Sequence, residues 1–303
     1  MLEDYYKNYF AILEGKKKPK FKSINLKQLI KKAKSLLASC ELCERKCKVN
    51  RLKGQLGFCK VDTKARIFGM HTHYGEEPEL IPSATIFFAG CTMLCKYCQN
   101  APESIIPSLG KVTKEKEIAE WIDYQYATGS KNVNFVGGEP TPYLYNILKI
   151  LSFCKSDMPV VWNSNGYYSK KTAEILKKFV DVYLIDFRYY NESCAKRLSL
   201  VENYPEAVKR NLKEAKKDKK ADLLIRILVL PEHINCDAKP ILKWIASNLG
   251  RNVRINILNQ YYPAFESTKI PELTRRLNKK EIQEVLSYAK KLGLKNLVKE
   301  EIV

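Results

Sequence analysis

From residue 84 onward, short β-branched apolar runs alternate with stretches of helical period, and that alternation leaves few folds open. The apolar runs fall at 84–89, 132–136, 159–163, 180–185, 223–230 and 254–258, with helical stretches near 114–128, 142–154, 169–178, 203–217, 237–249 and 279–292. Strands joined through helices lie parallel, because each crossover returns the chain to the same end of the sheet. Six such units fall short of the eight that close a barrel. The fold class is therefore α/β, either an open, partial parallel (β/α)6 barrel or a doubly wound sheet. Both architectures collect their chemistry at the C-terminal ends of the strands.

Those ends carry a consistent set of residues. Gly90 and Cys91 follow the first run, Gly137, Gly138, Glu139 and Pro140 the second, and Ser164, Asn165 and Gly166 the third. Asp186 follows the fourth run, and Asn259, Gln260 and Tyr261 the sixth. Glycine lets backbone approach a ligand closely, and Glu139 offers a carboxylate able to hold an ammonium.

Upstream, residues 1–39 read as a basic helical extension whose apolar stripe is Leu26, Leu29, Ile30, Ala33, Leu36 and Leu37. Residues 40–80 are punctuated by Cys, Gly and Pro and read as a small metal-stapled module; residues 81–303 form the barrel domain. No stretch approaches the roughly 18 apolar residues of a membrane helix. The first residues, MLEDYYKNYFAILEGKKK, lack the basic-then-apolar order of a signal peptide, so a cytoplasmic protein is expected.

A reducing cytoplasm disfavours disulfides, so clustered cysteines there argue for metal or catalysis. Seven of the ten cysteines are clustered; Cys154, Cys194 and Cys236 are scattered. Cys40, Cys43, Cys47 and Cys59, spaced C-x2-C-x3-C-x11-C, form a complete four-ligand set. Structural zinc and an iron–sulfur cluster both fit it. Cys91, Cys95 and Cys98 supply only three thiolates, with no fourth Cys or His in the next fifty residues. Structural zinc and ferredoxin-type clusters want four ligands, so a lone triad points to a four-iron cluster with one iron open.

The C-x3-C-x2-C spacing, with Tyr97 before the last cysteine, resembles the radical S-adenosylmethionine (SAM) superfamily. That resemblance implies that SAM chelates the open iron, and that one electron from the cluster cleaves its sulfonium. A 5′-deoxyadenosyl radical then abstracts hydrogen from substrate. The segment KNVNFVGGEPTP resembles the family's GGEP element, which implies that Gly137, Gly138, Glu139 and Pro140 contact the methionyl amino group. The turn Asn163-Ser164-Asn165-Gly166 resembles the family's polar turn, which implies SAM contacts for Ser164 and Asn165. Asp186 and Arg226 resemble rim residues of glycyl-radical activating enzymes, and Arg226 equally suits a structural ion pair.

The cysteine-rich segment, Arg51, HTHYGEEPE, TIFFAGC, CQN, LVLPEHIN and NQYYPA together are similar to a branch of pyruvate formate-lyase activating enzyme-like proteins. The likeness covers most of the chain from Cys40 onward. Glu44 departs from the branch's usual proline, and Pro82-Ser83-Ala84 from its Gly-Ser-Gly. His71, His73, Glu76 and Glu77 read as a turn with a satisfied histidine pair, or as residues lining the site or ligating metal. Cys194 is a candidate hydrogen donor or thiyl relay, or a packed side chain.

The expected function is reductive SAM cleavage at a 4Fe-4S cluster for hydrogen abstraction from a protein or peptide, with ferredoxin or flavodoxin as electron donor. RNA modification is the alternative suggested by charge. The chain has 53 Lys+Arg against 33 Asp+Glu, a net +20, with its densest basic run at 15–34. A solvated surface rich in Lys and Glu explains the same charge. A non-enzymatic iron–sulfur or zinc binding module is the remaining alternative.

Overall fold

The computed structural model describes residues 5–298. The outermost ends of the expected extension and barrel domain, residues 1–4 and 299–303, lie outside the described residues. Eight strands form one sheet: β1 (Arg66–His73), β2 (Ser83–Phe88), β3 (Lys111–Val112), β4 (Asn132–Gly137), β5 (Val160–Ser164), β6 (Val182–Asp186), β7 (Asp222–Leu228) and β8 (Arg254–Leu258). Their order is β3-β1-β2-β4-β5-β6-β7-β8, and β2 with β4 to β8 run parallel. These parallel strands are the six expected from the sequence, and the sheet stays open. The parallel strands follow chain order without the reversal of a doubly wound sheet, so the architecture is the partial barrel.

The sequence periodicity does not single out β1. It pairs antiparallel with β2 and carries β3 on its outer side, extending the sheet past the first parallel strand. Its half-exposed RIFGMHTH run has neither the continuous apolar character of β5 nor a clean alternation. His71 and His73 therefore lie on a strand, with the turn beginning after them.

Nine helices are described: α1 (Lys7–Leu13), α2 (Leu26–Ala38), α3 (Glu115–Ala127), α4 (Leu144–Phe153), α5 (Lys170–Phe179), α6 (Glu192–Ser199), α7 (Tyr204–Lys217), α8 (Lys239–Asn248) and α9 (Lys279–Lys291). Several begin on side-chain caps that satisfy otherwise orphaned N–H groups. Ser169 accepts from the Thr172 amide before α5, Asn191 from Ser193 and Cys194 before α6, and Asn278 and Glu281 form a capping box on α9. A π-helical turn, Ile234–Ala238, precedes α8.

The N-terminal segment decides which end of the barrel is open. Tyr6, just before α1, and Tyr9 within it pack with Leu80, Val161, Val182, Leu184 and Leu224 as a separate buried cluster inside the strands. The Tyr9 amide donates to Asp222 at 2.7 Å, and Asn132 Nδ2 to the Tyr9 hydroxyl at 2.9 Å. This plug fills the end where the parallel strands begin. The basic run is also engaged with the barrel. Lys20 is buried against Asp218 at 2.7 Å, Lys22 donates to the carbonyls of Cys154 and Lys155, and Lys32 meets Glu174 at 3.1 Å.

Candidate functional site

At the opposite end, a cavity of about 400 Å³ opens over the C-terminal ends of the parallel strands. Its walls include Cys98, Gly137, Gly138, Glu139, Ser164, Asn165, Asp186 and Arg226. Residues from five different strand ends or following loops thus face one space. Pro140 follows at the same strand end, and Cys194 is not among the cavity-lining residues.

The cysteine loop leaves β2 through Gly90 and packs against the glycine pair after β4. Gly137 has φ +125°, and a Cβ there would sit 2.1 Å from the Phe88 amide nitrogen. A Cβ on Gly138 would sit 2.2 Å from the Gly90 carbonyl oxygen. Any larger residue at either position would push the two loops apart.

Each thiol of the triad has a polar neighbour. The Met93 amide donates to Cys91 Sγ at 3.4 Å, Ser199 Oγ donates to Cys95 Sγ at 3.0 Å, and Cys98 Sγ lies 3.1 Å from Ser104 Oγ. Burial pushes the Cys91 and Cys95 thiols above their ordinary range, with Glu139 adding to the effect on Cys91. Ionised thiols in this position need a cation beside them.

Glu139 is 1% exposed and fully engaged. It accepts from Thr141 Oγ1 at 2.5 Å, Ser164 Oγ at 2.8 Å, and the amides of Asn165 and Thr141 at 3.0 and 3.2 Å. Burial pushes its carboxyl upward, and these donors oppose the shift. Asn165 Nδ2 also donates to Thr92 Oγ1 at 3.1 Å. The GGEP segment, the Ser164–Asn165 turn and the cysteine loop are therefore bound into one unit by hydrogen bonds.

The charged rim is paired. Asp186 accepts from Arg188 at 2.6 Å. Arg226 donates twice to Glu77, both at 2.8 Å, and also to Glu76. Asn134 and Asn256 complete this network by donating to Glu76 and Glu77 at 2.9 and 2.8 Å. The turn after β1 thus delivers two carboxylates across the barrel to β7. Asn256 is among the cavity-lining residues, and its buried Oδ1 has no hydrogen-bond partner among the described residues.

Sequence reasoning passed over Arg188, Asn256 and the pairing of Arg226 with Glu76 and Glu77. Arg188 lies two residues beyond Asp186 and would have been found by following the strand-end rule into the loop. Asn100 of the CQN segment donates to the Gly137 carbonyl at 3.1 Å, and so joins the same frame.

The four-cysteine segment sits against this site. The Leu42 carbonyl accepts from the Ser169 amide and from Thr172 Oγ1, while the Glu44 amide donates to the Tyr167 carbonyl. Arg45 donates Nε to the Thr92 carbonyl at 2.6 Å and stacks on Phe58 at 3.2 Å. It stands between the two cysteine groups, and Cys43, Cys47 and Cys91 all act on its charge. The Cys59 carbonyl lies 3.2 Å from the position of a Cβ on Gly90.

The sequence profile of the radical SAM superfamily matches residues 85–245. This chain belongs to the radical SAM superfamily. Membership implies a 4Fe-4S cluster and SAM as cofactors. An uncharacterized protein of Methanocaldococcus jannaschii is 40% identical over 269 residues, spanning 86% of this radical SAM chain and 77% of its own. A second protein of that organism, provisionally named as a glycyl-radical enzyme activating enzyme, is 32% identical over 108 residues, or 35% of this chain and 43% of its own. The crystal structure of Streptococcus suis SuiB bound to precursor peptide SuiA superposes with a TM-score of 0.53 at 16% identity, covering 71% of this chain and 47% of that one. The chain thus spans about half the length of that structure, and the likeness is one of fold.

The residues present suit the superfamily's cofactors. Three thiols on one loop would leave one iron of a cluster open, the glycines let the Gly137–Gly138 backbone lie directly against that loop, and a buried carboxylate stands beside them. No helix among the described residues is long and apolar enough to cross a membrane.

Proposed function

We propose that Cys91, Cys95 and Cys98 hold a 4Fe-4S cluster, that Gly137, Gly138, Glu139, Pro140, Ser164 and Asn165 hold SAM, and that the enzyme acts on a protein or peptide. The observation that carries this reading is the joining of an incomplete thiol set to the Glu139 carboxylate through Asn165 and Thr92. Bound there, the cluster would supply the one electron that cleaves the SAM sulfonium to methionine and a 5′-deoxyadenosyl radical for hydrogen abstraction.

The chain's own residues orient the reactants. Glu139 holds an ammonium in a position fixed by its four donors, and the Gly137–Gly138 backbone admits the ligand against the cysteine loop. Asp186, paired with Arg188, stands at the cavity wall where a substrate segment enters. Arg226 acts as a positioning residue that holds Glu76 and Glu77 in the wall. A protein or peptide substrate is favoured by the names of two similar proteins, one an activating enzyme and one bound to a precursor peptide. Ferredoxin or flavodoxin suits the electron supply.

Cys40, Cys43, Cys47 and Cys59 bind metal in the same reading. Structural zinc and a second iron–sulfur cluster both suit the quartet, and Arg45 spans from it to the Thr92 carbonyl beside Cys91.

Anaerobic reconstitution tests the proposal. The reduced protein should show a paramagnetic spectrum that shifts on SAM addition and should form 5′-deoxyadenosine, and Cys98→Ala should abolish both. No spectral shift and no 5′-deoxyadenosine would sink the reading. Iron remaining in the Cys91/Cys95/Cys98 triple alanine variant supports a second cluster, and zinc alone a structural site.

A further inference from the structure

We propose that Cys194, His233, Cys236 and Asp237 bind a zinc ion that clamps the loop after β6 to the loop after β7. This site is separate from both cysteine groups described above and does not depend on their cofactors. One ligand atom from each of the four residues lies within 4.8 Å of the others. Cys194 and Asp237 are buried, as is His233.

Four of the six edges between these atoms lie near those of a zinc tetrahedron, and the remaining two, from Cys194 to His233 and Asp237, are within 4.8 Å. Zinc bonds of about 2.3 Å to sulfur, 2.0–2.1 Å to nitrogen and 2.0–2.2 Å to oxygen require edges of about 3.8 Å for S···S and about 3.5 Å for S···N and S···O. The N···O edge is then about 3.3 Å. Cys194 Sγ lies 3.8 Å from Cys236 Sγ, and Cys236 Sγ lies 3.4 Å from His233 Nδ1 and 3.6 Å from Asp237 Oδ2. His233 Nδ1 and Asp237 Oδ2 are 3.0 Å apart. The two sulfurs stand far outside bonding distance for a disulfide, about 2.05 Å.

The surroundings orient the ligands. Asp237 Oδ1 accepts the amides of Tyr190 and Asn191 at 2.7 and 2.9 Å, which turns Oδ2 toward the other three residues. His233 presents Nδ1 to the site, while Nε2 faces Arg197 Nη2 at 3.5 Å and Glu272 Oε1 at 3.8 Å. Cys236 and Asp237 lie on the π-helical turn Ile234–Ala238, an irregularity that recurs at functional sites. Two sulfurs, a nitrogen and an oxygen form a closed tetrahedral set, which suits structural zinc. Binding displaces the two thiol protons to solvent and leaves Asp237 as carboxylate.

The clamp has a consequence for the cysteine loop. Cys194 lies in the first turn of α6, which ends at Ser199, whose hydroxyl donates to Cys95 and whose carbonyl accepts the Leu94 amide. Fixing one end of α6 therefore steadies the wall against which the Cys91–Cys98 loop rests.

Elemental analysis of the full-length protein tests this. Cys194→Ala should carry one zinc equivalent fewer than the parent with iron unchanged, whereas Cys194→His, which keeps a ligand, should retain it. Equal zinc in the parent and Cys194→Ala overturns the proposal. Should Cys194→Ala fail to fold, the parent alone decides by alkylation followed by peptide mass spectrometry. A zinc chelator should speed modification of the half-buried Cys236 at least tenfold; a rate indifferent to chelator, or a Cys194–Cys236 disulfide in the unreduced parent, overturns it.

Discussion

Ser199, at the C-terminal end of α6, donates its hydroxyl to the Cys95 thiol at 3.0 Å. Ser199 also lies 2.7 Å from the Tyr189 hydroxyl, which lies 2.5 Å from that of Tyr97. A buried chain of hydroxyls thus ends on one sulfur. Hydrogen bonds to cluster sulfur favour the reduced, more negative state. Ser199→Ala should therefore shift the cluster's midpoint potential to a more negative value at unchanged iron content. Redox titration followed by paramagnetic resonance reads this, and an unmoved or more positive potential contradicts it.

Glu139 is held by four donors and brings a single carboxylate to the cavity. A hydrogen bond to a charged group contributes about 1.5–3 kcal/mol, so Glu139→Gln should weaken SAM binding roughly 10- to 150-fold. Iron content should be unaffected. Calorimetric titration of the reconstituted protein measures the loss, and parent-like affinity would remove Glu139 from the SAM site.

Arg226 pairs with two carboxylates in a buried network. Removing one partner of such a network costs about 3–5 kcal/mol, so Arg226→Ala should lower the unfolding free energy by that order in chemical denaturation. Burial alone would push the Glu76 carboxyl up, but the Arg226 guanidinium and His73 overcome it and hold it at about 2, below its ordinary 4.5. A depressed carboxyl contributes stability above its unfolded value that is lost as pH falls from about 4.5 through about 2. That acid loss should be smaller in Arg226→Ala; an equal loss in both proteins would assign it elsewhere.

Asp181 behaves in the opposite sense. Burial pushes its carboxyl from 3.8 up to about 6, although the amides of Val160 and Lys20 donate to it, each at 2.9 Å. Folding then favours the protonated form, so this group's contribution to stability decreases as pH rises from about 4 to about 6. Asp181→Asn should be less stable overall, because an amide cannot accept from both donors, yet its melting temperature should lack that decline. A parallel pH profile for parent and variant would contradict the assignment.

Local signals in the chain made the strand ends legible. The six parallel strands are short apolar runs whose two faces are both covered, so their character survives in sequence. Gly137 and Glu139 adjoin the end of one such run, and Cys91 that of another, so a rule about strand ends was enough to put them in one neighbourhood. β1 was not legible because an antiparallel strand beside the first parallel one is half exposed and carries Gly69, His71 and His73. The plugging of the barrel by Tyr6 and Tyr9 was equally hidden, since nothing local distinguishes an amphipathic surface helix from one inserted among strands.

By itself the sequence determined the six parallel strands, the incomplete thiol set and the end of the sheet where the chemistry lies, because each depends on residues close together in the chain. Tertiary structure alone decided the partners: Glu76 and Glu77 with Arg226, Ser199 with Cys95, and Cys194 with His233, Cys236 and Asp237. These pairs meet only after loops from different strands are brought to one rim. Their distances follow from the curvature of the whole sheet, which no short stretch of the chain specifies.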